Sequence, residues 1–114
     1  MIENKGEYLY VERTEPYELN SFIGLMKEVA GACRQQNVRK VLVNIRAMPG
    51  KIKFAERFQV GAEGAEIFRG VAKVGIVYRK EEINWFAETV SVNRGADVRI
   101  FADIEDAMEW LGIK

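Results

Sequence analysis

The chain alternates short apolar runs with longer stretches of helical period. In "EYLYVER" (7–13) aromatic and β-branched residues alternate with charge, which predicts a first strand ending before Pro16. Pro16 suits a first helical turn, and Leu19, Phe22, Ile23, Met26, Val29, Ala30 and Cys33 then recur at three- and four-residue spacing, with Asn37 as the stop. "KVLVNI" (40–45) is a nearly unbroken apolar run, the pattern of a strand covered on both faces. From Lys53 to Arg69 the positions Phe54, Phe58, Ala62, Ala65 and Phe68 follow a helical period, with Gly70 beyond the last turn. "AKVGIVYR" (72–79) predicts the third strand. Ile83, Phe86, Ala87 and Val90 mark a third helix closed by Arg94 and Gly95. "DVRIFA" (97–102) is the fourth strand, and Asp103 with Asp106 reads as a capping pair before Ile104, Ala107, Met108 and Leu111, ended by Gly112. The expectation is an α/β domain: one domain over residues 1–114, with a four-strand, mainly parallel sheet and β-α repeated four times.

Composition narrows the chemistry. With 17 basic and 17 acidic residues the net charge is zero, so the chain has no general attraction for nucleic acid or for an anionic membrane surface. No signal-peptide pattern opens it and no run of about 18 apolar residues occurs, so no membrane insertion and a cytoplasmic setting are expected. Cys33 is the single cysteine, which excludes an intrachain disulfide and a cysteine cluster for a metal. There is no histidine, which removes the usual general base and the commonest metal ligand. No enzyme activity, no metal and no cofactor are therefore expected.

"FAETVSVNRGADVRIFADIEDAMEWL" (86–111) together with "KVLVNIRAMPGKIKFAERFQVG" (40–61) resembles the SpoIIAA-like family of small bacterial proteins, relatives of the STAS and CRAL-TRIO domains. The likeness runs from Tyr8 to Leu111. It implies a right-handed strand–helix superhelix with sequential strands, and a domain that binds rather than catalyses. In the STAS domains of anti-sigma-factor antagonists a partner kinase phosphorylates a serine in the turn that aligns here with Ala47-Met48-Pro49-Gly50-Lys51. That turn has no hydroxyl, and Thr14, Ser21, Thr89 and Ser91 all lie elsewhere. The phosphorylation switch is therefore expected to be absent.

The same turn is the candidate site. Pro49-Gly50 is first a turn dipeptide, while amides near the following helix start, with Lys51 and Lys53, could hold an anion. Met48, Gly50, Lys51 and Lys53, with Arg94, are the candidate ligand- or partner-binding residues. Arg94 and Gly95 also have a plain reading as a helix end. Gly61 and Gly64 fall inside a helix, at about 1 kcal/mol each relative to alanine, which close packing or room for a ligand would offset. Glu56, Glu63 and Glu66 read as a solvated helix face and "RKEE" (79–82) as an exposed turn. Trp85 and Trp110 sit at the margins of their apolar stripes.

"VLVNI" and "VGIVY" are apolar on both faces. Sequential strands with right-handed crossovers would put all helices on one face, so either the helices divide between faces or a second copy or an apolar ligand covers the open one. The sequence is thus read as a non-catalytic, STAS-like interaction module that binds a protein partner or forms a homodimer. The alternative is a small carrier or sensor of an apolar or lipid-like ligand.

Overall fold

The computed structural model describes residues 1–84 and 86–113, without the side chains of Phe86 and Ala87, so Trp85 and the side chains expected at 86 and 87 lie outside the described residues. Five strands form one sheet in sequential order: β1 (Ile2–Asn4), β2 (Leu9–Glu12), β3 (Lys40–Asn44), β4 (Lys73–Val77) and β5 (Val98–Phe101). Four helices accompany them: α1 (Leu19–Gln36), α2 (Phe54–Phe68), α3 (Phe86–Asn93) and α4 (Ile104–Leu111). β2 to β5 are parallel, as expected. β1 was not expected, and it pairs antiparallel with β2, Ile2 opposite Val11. Three residues carry no periodic signal; their strand exists because the edge of β2 accepts it.

Strand alternation divides the core in two. Val41 and Val43, with Val74 and Val98, face α1 and α2, whereas Leu42 and Val77 face Ala107 and Leu111 of α4. The helices therefore divide between the two faces, and α4 covers β3 to β5. This is why "VLVNI" is apolar throughout, and it leaves the apolar strands no need of an outside cover. Gly75 lets α4 approach: a Cβ there would sit 3.3 Å from Leu111 Cδ1. Lys73 Nζ donates to the Trp110 carbonyl (2.8 Å) and lies over the Trp110 ring, so a cation completes the helix end.

The helix ends show what sequence reading resolves and what it misses. Asn37 adopts the left-handed conformation that stops α1, and Gly112 does the same for α4. Pro16 is not in the first turn of α1. Glu18 caps that helix instead, accepting from the amides of Asn20 and Ser21, and this holds its carboxyl below the usual range. Buried Arg13 draws the Pro16 carbonyl away, donating to it at 2.7 Å. Asp103 occupies the cap position of α4 but makes no side-chain cap bond, so the expected capping pair does not form. Ile83 precedes α3, ending a short 3-10 turn over Lys80–Glu82.

Candidate functional site

In a parallel sheet the carboxyl ends of neighbouring strands lie side by side. Asn44 pairs with Val77, so the turn leaving β3 runs beside Tyr78 and Arg79 at the end of β4. Arg79 donates to three carbonyls of that turn: Nη1 to Arg46 (3.2 Å) and Met48 (2.7 Å), and Nη2 to Gly50. Arg57, largely buried on α2, takes the next alternate carbonyl, donating from Nε to Ile52 at 3.1 Å. Its Nη1 reaches the Glu82 carbonyl (2.8 Å), with the Glu82 carboxylate at 3.8 Å. The amides are engaged as well. Arg46 donates to Asn44 Oδ1, Met48 to the Ile45 carbonyl and Ile52 to the Tyr78 hydroxyl.

This turn is a loop wrapped around two guanidinium groups. Its carbonyls point at Arg79 and Arg57, and at least three of its amides are already used, which opposes the reading of the turn itself as an anion cradle. "RKEE" is not an ordinary exposed turn: Arg79 is part of the device that fixes the candidate site.

The candidate residues separate in space. Met48 is fully buried and anchors the turn to the core, so it does not belong to an exposed binding set. Gly50 has φ +75°, a conformation other residues rarely adopt, and is needed for the path of the chain. Lys51 and Lys53 project from the turn into solvent. Arg94, at the end of α3, lies over the ring of Phe58 with its guanidinium carbon 5.5 Å from the ring centre. Gly95 supplies the left-handed residue that lets the chain turn there.

Phe54 and Phe58 complete the surface. They are 73% and 51% exposed, on one face of α2 one turn apart. Spacings of four drift around a helix, so the stripe read from Phe54 through Ala62 rotates away from the sheet, while Arg57, Val60, Gly61 and Gly64 face inward. Two large aromatics are thus exposed beside Lys53 and Arg94. Lys51, Lys53 and Arg94 form no ion pair among the described residues.

Behind this face, α2 passes between α1 and α3. Ser91 Oγ donates to the Gly61 carbonyl at 2.7 Å, and a Cβ at Gly64 would meet Met26 and Ser91 at ordinary contact distances of 3.8 and 3.9 Å. The glycines border a cavity of about 50 Å³, lined by apolar side chains with Glu88 and Ser91 as polar exceptions. Burial pushes the Glu88 carboxyl up, against the lowering effect of the Ile100 amide, which donates to it at 3.2 Å, and of Arg99. The other carboxylates of interest are occupied singly. Glu56 accepts from the Tyr17 hydroxyl (2.8 Å), Glu63 from Gln59 and Glu66 pairs with Arg69. Burial and Glu56 together push the Tyr17 phenol well above its ordinary value.

No family model matches the chain, and no curated protein is detectably similar to it in sequence. Among the described residues no helix is long and apolar enough to cross a membrane, and no group of three or more metal-ligating side chains occurs.

Proposed function

We propose that this chain is a non-catalytic interaction module of SpoIIAA-like type that works in the cytoplasm through protein–protein contact, a second copy being one such partner. The observation that carries the reading is the exposure of Phe54 and Phe58, with Arg94 over the Phe58 ring and Lys53 directly before Phe54. Exposed apolar side chains rimmed by polar and charged ones mark interaction surfaces. Aromatic rings and arginine are also the side chains that dominate protein interfaces.

The sequential sheet with α1 to α3 on one face agrees with the family the sequence resembles. A sequential order has no point at which successive crossovers diverge to opposite sides, so it lacks the crevice where open α/β sheets bind nucleotides. The carrier reading requires an apolar cavity of about 300 Å³ or more. The 50 Å³ present between the helices and the sheet favours a surface over a container.

Native mass spectrometry of the protein isolated from its own cells separates the two readings. A species containing a second protein chain supports the module. A 13.0 kDa monomer carrying a co-purified small molecule overturns it in favour of the carrier.

A further inference from the structure

Resting on the interaction-module reading, we propose that the face built by Phe54, Phe58 and Arg94 receives an acidic segment of another protein, in which Asp or Glu residues flank one or two large apolar side chains. The apolar requirement follows from the two exposed rings, one helical turn apart. The acidic requirement follows from what surrounds them. Lys51 and Lys53 stand where α2 begins, at the positive end of its dipole, and Arg94 borders the rings from α3. An arginine stacked on a ring keeps its charge at the apolar surface while its N–H groups stay available to a carboxylate.

The acids nearest in sequence set the limits of the patch. Glu56 is held by Tyr17, and Glu63 and Glu66 come two turns and more after Phe54 on α2. The basic, aromatic area therefore ends within the first turns of α2, which suits a short peptide segment. It does not suit a membrane, because a helix lying on anionic lipid needs an extended apolar face bordered by cations, and here the exposed large apolar side chains of α2 are only Phe54 and Phe58. A second copy offers a complementary charge along α4, where Glu105, Asp106 and Glu109 are exposed after the equally exposed Asp103 at its start. Its Ala107 and Leu111, however, are buried against its own sheet, and Trp110 is engaged by the Phe101 ring and the Lys73 ammonium, which leaves the helix little free apolar side chain to insert.

The test is selection of a phage-displayed random peptide library against the full chain, followed by binding of the selected peptides to Phe58→Ser, Lys53→Glu and Arg94→Glu variants whose fold is checked by circular dichroism. The expected result is enrichment of Asp and Glu beside Leu, Phe or Trp, with affinity falling about tenfold or more in Phe58→Ser. The two charge reversals should also weaken binding, and added salt should do the same. Peptides that need Phe58 but show no acidic preference would overturn the inference and leave the module intact. Peptides indifferent to all three variants would overturn both. Two further results would replace the acidic segment by another occupant. One is binding to phosphatidylserine-containing vesicles that the variants abolish without any peptide binding. The other is a self-association that they abolish.

Discussion

The guanidinium of Arg79 reaches across from the end of β4 to the main-chain carbonyl of Met48, 2.7 Å away in the turn that leaves β3. The contact joins two strand ends that the parallel register already places side by side. Because Met48 is buried below the turn and Arg79 grips its main chain from the side, the segment carrying Lys51 and Lys53 is fixed from two directions. The recognition face starts from that fixed point.

Replacing Arg79 with alanine should therefore cost about 1.5–3 kcal/mol, the range for hydrogen bonds to a charged group, and should raise amide exchange over residues 46–52. Lysine should recover little, since one ammonium cannot serve three carbonyls with the fork of a guanidinium. Urea unfolding with exchange mass spectrometry checks both. An Arg79→Ala variant with unchanged exchange in the turn would remove Arg79 from this role.

Glu88 predicts a pH dependence. Its folded-state pKa is raised by burial, so between the ordinary carboxylate range and that raised value the native state binds more protons than the unfolded chain. Its contribution is fully present below the ordinary range and is lost as pH rises through the raised value. Glu88→Gln keeps an oxygen for the Ile100 amide and carries no charge. It should match the parent at low pH and exceed it in stability at neutral pH. Urea midpoints at the two pH values measure this, and parallel curves would contradict it.

Gly24 and Gly31 lie on the exposed face of α1, where an added Cβ would meet no atom within 4 Å. Alanine at either position should stabilise the fold by up to about 1 kcal/mol, since glycine loses more backbone freedom on entering a helix. Gly64→Ala should also be tolerated, its nearest contacts being at ordinary distances. A thermal midpoint lowered by Gly31→Ala would show that the helix surface there is not free.

The parallel core was legible because each of its strands keeps an apolar signature and each helix from α1 to α4 has a stop that follows from local chemistry, such as Asn37 and Gly112. β1 was not, because its formation depends on pairing with residues far along the chain. The division of the helices followed from "VLVNI" only as an alternative; the second core around Leu42 and Leu111 decides it. At the site, Lys51, Lys53 and Arg94 could be proposed from residue type alone. Phe54 and Phe58 could not, because a four-residue spacing looks like a core stripe until the inward face of α2 is known. Arg79 and Arg57 act through main-chain carbonyls, and a sequence does not display where carbonyls point.

The most direct test of the central claim compares the parent protein with Phe58→Ser, both expressed in the native host, by native mass spectrometry. The parent should carry a protein companion, which the variant should lose while its fold is retained by circular dichroism. A companion that remains bound to Phe58→Ser at full occupancy would contradict it, because binding would then lie elsewhere on the molecule.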